Sequence, residues 1–144
     1  MKMLKSIMLG VAMVAVFGAA NAAKLNNDGP LSTDEVLKTY IAATTQGNPA
    51  GYDKILSDDV SFKTILDNDR VIKADKKSMI ASAKANEGIK MDCTTSTKLV
   101  TQTLENTVYE LTVKYADYSV VNTITMVGTD EKGWKITDVK TVNK

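Results

Sequence analysis

Histidine is absent from this 144-residue chain, and cysteine, arginine and tryptophan occur once each, as Cys93, Arg70 and Trp134. Without an imidazole there is no Ser-His-Asp or Cys-His nucleophilic arrangement, and no side chain whose ordinary pKa sits near neutrality. One cysteine and no histidine also fall short of the usual zinc ligand sets. A lone cysteine closes no disulfide within the chain, so stability has to come from packing. Cys93 reads as a small buried hydrophobe or as an intermolecular link. An excess of one charge is missing too, with 18 basic residues against 17 acidic. No run of lysines marks a patch, which makes nucleic acid and anionic membrane poor candidates for partners.

Long hydrophobic runs are confined to the start. "MKMLKSIMLGVAMVAVFGAANAAK" opens with Lys2 and Lys5, continues through an apolar run from Ile7 to Phe17, and ends in small residues. Ala20-Asn21-Ala22 fits the rule for signal peptidase, so residues 1–22 are expected to be a cleaved signal peptide. As a membrane anchor the run is too short, because a spanning helix needs about 20 apolar residues. Cys93 lies too far from the cut to carry a lipid. The expected product is exported, periplasmic or extracellular, with no membrane attachment after cleavage. Removing Lys2 and Lys5 leaves 16 basic residues against 17 acidic, a formal charge of −1.

The remainder is long enough for one domain with one core. Residues 23–31 read as a polar lead-in and 32–144 as the domain. "LSTDEVLKTYIAATTQG" carries a capping box, Ser32 with Glu35, and an apolar stripe of Val36, Leu37, Tyr40, Ile41 and Thr44. Gly47 suits a left-handed C-cap, and Asn48-Pro49 predicts a second, short helix through Leu56. Asp58 and Asp59 then stand before "VSF", where they are expected to end the helix and accept backbone N–H groups. "ILDNDRVI" predicts a hairpin turning on Asp67, Asn68 and Asp69. These acids lack the further oxygen ligands and the glycine of a calcium loop, so no metal is expected.

"ADKKSMIASAKANEG" predicts a third helix, capped by Asp75, with Met79, Ile80 and Ala83 on its apolar face. From Met91 onwards the chain alternates with period two over four strands. Tyr109, Leu111, Val113 and Tyr115 share one face, as do Val120, Ile124 and Met126. The last strand carries Trp134, Ile136 and, in phase with them, Asp138. Helices first and a long meander last predict an α+β domain, in which N-terminal helices pack on a curved antiparallel sheet to make a cone. The open end of such a cone is a natural small-molecule pocket.

The element order, "GNPAGYDKILSDDVSF" and the closing "DEKGWKI" resemble the nuclear transport factor 2-like superfamily, cystatin-like in architecture, over about Ser32 to Val142. That group includes ketosteroid isomerase, SnoaL-like cyclases and lumazine-binding proteins secreted by bacteria, and such a fold hosts enzymes, binding modules and dimerisation domains alike. Against the isomerase, the resemblance places the oxyanion-hole tyrosine on Tyr40, a glycine on Gly47 and a structural acidic pair on Asp58 and Asp59. The catalytic base falls on Thr64, which cannot accept a proton near neutrality. A second acid is due on a late strand, and Tyr118 to Val127 contains none. The dehydratase version needs histidines. The Asp-Arg-Asp set of the epoxide-hydrolase version is matched only by Arg70 between Asp67 and Asp69 in a turn.

The expected function is therefore a module that holds a small cyclic or aromatic ligand, flavin-like or lumazine-like by the resemblance, without catalysis or cofactor. Tyr40, Tyr52, Phe62, Tyr109, Tyr118, Trp134 and Asp138 are its candidate contacts, with Tyr115 nearby. Aromatic side chains offer large area with a polar tip, although each also serves as ordinary core. Alternatives are an isomerase- or cyclase-like enzyme using Tyr40 and Asp138, or an interaction protein with a vestigial pocket. A homodimer through the outer face of the sheet is expected, on strands such as "SVVNTITMV".

Overall fold

The computed structural model describes residues 29–144. The expected signal peptide and residues 23–28 of the lead-in lie outside them. Helix α1, Thr33–Thr45, begins as its sequence dictates. The Ser32 hydroxyl accepts the Glu35 N–H at 3.1 Å, and the Glu35 carboxylate accepts the Ser32 N–H at 2.9 Å. Its buried face is wider than the expected stripe, because Thr39, Ala42, Ala43 and Thr45 are covered as well. Leu31, the last residue of the lead-in, is already held: its carbonyl accepts the Trp134 N–H at 3.1 Å.

Gly47 turns the chain with φ +68°. A Cβ there would stand 2.6 Å from the Ile89 nitrogen, so the close approach of the two segments admits only glycine. The Gly88 N–H donates to the Gly47 carbonyl and the Met91 N–H to that of Thr45, both at 2.8 Å. Helix α2 is shorter than expected, only Tyr52–Ile55. Asn48 and Pro49 form a turn instead, and Gly51, left-handed at φ +78°, prevents the helix from reaching back to them.

Strand β1, Leu56–Ile65, follows α2 without a gap. Asp58 and Asp59 therefore lie within the strand, which corrects their expected role as a helix stop. Between Leu56 and Ser61 the strand leaves regular pairing, and both acids face solvent. Their partners are side chains. Lys76 Nζ meets Asp58 at 3.3 Å, and the Ser57 hydroxyl donates to Asp59 at 3.1 Å. Strand β2, Val71–Ala74, completes the predicted hairpin, with Asp69 at positive φ in the turn.

Helix α3, Lys76–Ala85, is capped by Asp75, whose carboxylate accepts the Ser78 N–H at 2.8 Å. It lies against β1 on the same side of the sheet as α1. The meander follows as β3 (Thr94–Gln102), β4 (Asn106–Lys114), β5 (Ser119–Thr129) and β6 (Gly133–Asn143). The six-stranded sheet is ordered β2-β1-β6-β5-β4-β3. One pairing departs from the expected antiparallel sheet: β6 returns to lie parallel beside β1. The crossover through α3 makes that possible, since parallel strands need a long connection.

The core sits between the helices and one face of the sheet. Ile41, Ile55, Leu56, Leu111, Ile124 and Ile136 are essentially inaccessible to solvent, each contributing roughly 1.5–3 kcal/mol by burial. Inward positions alternate along β5 as Asn122, Ile124 and Met126. Strand β6 changes phase. Met126 pairs with Ile136 but Thr125 with Asp138, leaving Thr137 as one extra residue. This β-bulge moves the inward set from Trp134 and Ile136 to Val139 and Thr141, because a one-residue slip exchanges the two faces.

Candidate functional site

Between α1, α3 and the sheet lies a cavity of about 230 Å3. Its inner wall is buried: Tyr40 from α1, Phe62 from β1, Val113 from β4 and Asn122 from β5. Its rim is more open, with Ile72 of β2, Tyr115 just beyond β4 and Val120 of β5. Met79 from α3 closes one side. Thr64 and Thr141 face each other across the β1–β6 pair and both line it.

The polar centre is Asn122. Its side-chain oxygen accepts the Thr141 hydroxyl at 2.7 Å and the Tyr40 hydroxyl at 3.4 Å. The second bond is long for an O–H donor, so Tyr40 is weakly satisfied and ready to donate to something better placed. Burial, helped by the neighbouring Tyr52, pushes the Tyr40 phenol well above its ordinary pKa. It remains a protonated donor. Burial raises Tyr115 likewise. The hydroxyls of Thr44 and Thr45 are spent on backbone carbonyls one turn earlier. Among the described residues no charged side chain lines this cavity. The set can orient a neutral molecule through donors and acceptors, but none of its members is a base near neutrality.

A second cavity of about 170 Å3 adjoins the first, since Thr44 and Met79 line both. Tyr52 belongs to this one, packed edge-on against Tyr40 with ring centroids 6.2 Å apart. Its hydroxyl is buried without a protein partner, and burial raises its pKa too.

Of the residues singled out from sequence, Tyr40 and Phe62 meet in the first cavity, and Tyr115 and Thr64 join them. Four lie elsewhere. Tyr109 is half-buried against the core. Tyr118 is half-exposed and stacks on Tyr115, with centroids 4.8 Å apart. Trp134 is buried near the β5–β6 turn, its indole N–H donating to Asp130 at 3.1 Å. Asp138 is placed on the outer face by the bulge at Thr137, not in phase with Ile136, so Tyr40 has no carboxylate from that strand. Cys93 is half-buried, and burial pushes its thiol up.

Asn122 and Thr141 were missed. A signal for Asn122 was present, because it is in phase with Val120, Ile124 and Met126, and a polar residue in an inward series is informative. Thr141 gave none, since its inward position depends on the bulge.

No protein-family model matches this chain, and no curated protein matches it. Solved structures do. A crystal structure of an NTF-2 like protein of unknown function from Silicibacter pomeroyi superposes with TM-score 0.60 at 14% identity, covering 76% of this chain and 90% of that one. An NTF2-like protein of unknown function from Shewanella baltica gives TM-score 0.60 at 6% identity, covering 76% and 89%. The fold is thus that of the nuclear transport factor 2-like proteins, α+β with helices on one face of a mostly antiparallel sheet.

Proposed function

We propose that this protein is a binding module for a small, uncharged, cyclic or aromatic molecule carrying a carbonyl or similar acceptor. The observation that carries the reading is Asn122, a buried amide on the wall of a cavity otherwise lined by apolar, aromatic and threonine side chains, flanked by the protonated Tyr40 hydroxyl. The ligand's acceptor would take the Tyr40 and Asn122 donors, while Phe62, Val113 and Tyr115 cover its ring. A charged ligand fits poorly, because no opposite charge lines the cavity and an unpaired ion is costly to bury. The volume is below the roughly 300–1,000 Å3 of sites for drug-sized ligands, which favours one or two rings. A lumazine-like dione, of the kind the sequence resemblance implies, meets these chemical requirements. The same reading makes the protein an exported one, on the pattern of residues 1–22, and non-catalytic.

The test is a thermal-shift panel of neutral cyclic carbonyl compounds, with native mass spectrometry of protein purified gently from its own cell envelope or medium. A ligand at about 100 times its Kd should stabilise the fold by about 2.7 kcal/mol. No stabilisation anywhere in the panel, together with clean empty protein, would overturn the reading.

A further inference from the structure

The outer face of the sheet, opposite the helices, carries a feature that the linear sequence conceals. Lys63 of β1 is paired with Lys73 of β2 on one side and with Lys140 of β6 on the other. Three lysines distant in sequence thus stand in one row across three adjacent strands, all exposed. Strand spacing of about 4.8 Å makes the row about 10 Å long. Among the described residues the ion pairs are Lys38–Asp34 and Lys76–Asp58, and none involves this row. The nearest acids by register are Asp138, two residues before Lys140, Asp75, exposed just beyond β2 two residues after Lys73, and Glu110, separated from Lys140 by Thr123.

Like charges placed directly opposite one another on neighbouring strands are destabilising. A row of three, without an intervening acid, gains stability from an external anion. We propose that Lys73, Lys63 and Lys140 form a docking surface for a linear polyanion bearing phosphate or sulfate groups, lying across the strands. The shape of the charge favours a chain over a lipid surface. The row is one residue deep, with Ser61 and Asp138 on one side and Val71, Ile65, Val142 and Val121 on the other. A membrane plane would press anionic headgroups onto Asp138 and Asp75, whereas a narrow polymer can follow the row of lysines and avoid both acids. Net charge does not supply this affinity, because the whole chain stands at only +1 and the chain without residues 1–22 at −1.

The experiment measures binding of the protein to dextran sulfate and to long-chain inorganic polyphosphate, with neutral dextran and anionic phospholipid vesicles alongside. One variant carries Lys63→Gln, Lys73→Gln and Lys140→Gln. A charge-matched control carries Lys54→Gln, Lys84→Gln and Lys132→Gln, three exposed lysines outside the row. Wild type should bind both polyanions at low salt and ignore neutral dextran. The row variant should bind more than about tenfold more weakly, with a log–log salt slope flatter by about two, while melting no lower than wild type. The control should stay within about twofold. Equal loss in both variants, absence of wild-type binding, or preference for vesicles would overturn the proposal. So would a salt-resistant dimer, seen by sedimentation, that shields the row with a second copy of the chain.

Discussion

Asn122 and Thr141 face each other on β5 and β6, and the Thr141 hydroxyl donates to the Asn122 side-chain oxygen at 2.7 Å. That bond aims the amide, leaving its NH2 group as the donor for a ligand. Thr141→Val should therefore weaken ligand binding by about tenfold, the worth of about 1.4 kcal/mol. Asn122→Ala should abolish the ligand-induced thermal shift and cost about 1–3 kcal/mol of stability, because buried hydroxyls lose their acceptor. Asp138→Asn, on the other face, should leave the shift unchanged. Thermal-shift titrations of the three variants check this.

The two tyrosines of the edge-on pair should respond in opposite ways. Tyr40→Phe removes a hydrogen bond and should cost about 0.5–1.5 kcal/mol, along with ligand affinity. Tyr52→Phe removes a buried hydroxyl without a protein partner, and should be neutral or stabilising by up to about 1 kcal/mol. Urea unfolding distinguishes them. A loss above about 1 kcal/mol for Tyr52→Phe would show that a bridging water satisfies the hydroxyl.

Alkaline stability follows from the same pair. Both phenols have folded pKa values raised by burial, so the folded chain keeps protons that the unfolded chain gives up above about pH 10. Their contribution is complete below that pH and is lost as pH rises through the interval up to the folded values. Wild type should lose stability steeply above about pH 10, and Tyr40→Phe with Tyr52→Phe should flatten the decline. Unfolding curves recorded across the alkaline range measure it.

Gly47 should tolerate no side chain. Gly47→Ala combines a positive φ with a clash against the Ile89 backbone, and should cost more than about 2 kcal/mol. The segment from Gly88 to Met91 should loosen first, seen as faster amide exchange at Gly88 and Met91.

Local chemistry was legible in the sequence. The Ser32–Glu35 box, the Asp75 cap, the Asp67–Asp69 turn and the period-two meander all rest on near neighbours, and they stand where their residues put them. What was hidden depends on irregular pairing between distant strands. Asp58 and Asp59 suit a helix stop by their place just after α2, but β1 starts at Leu56 directly behind the helix and carries both acids in its irregularly paired stretch. Asp138 counts as inward only under strict alternation, which assumes a straight strand, and Thr137 breaks it. Tyr109, Tyr118 and Trp134 are candidates by residue type and by their place on elements around the cone, with Trp134 opening the last strand near its wide end. Composition cannot tell an aromatic that walls a cavity from one that braces a turn, as Trp134 does through Asp130.

The bulge at Thr137 has a consequence for inheritance. Past it, odd-numbered residues of β6 point inward and even-numbered ones outward, so one offset brings Thr141 to Asn122 and sets Lys140 beside Lys63. The neutral chamber and the cationic exterior are two outcomes of a single spacing. Because Thr137 is the extra residue, its deletion would straighten the strand and keep Val139 inward and Lys140 outward. Straightening at unchanged length would instead exchange the faces, exposing Val139 and driving Lys140 inward. Neither trait can be lost through the pairing of this strand without the other. Deletion of Thr137 should therefore keep both surfaces, whereas a slip of pairing at unchanged length should lose both.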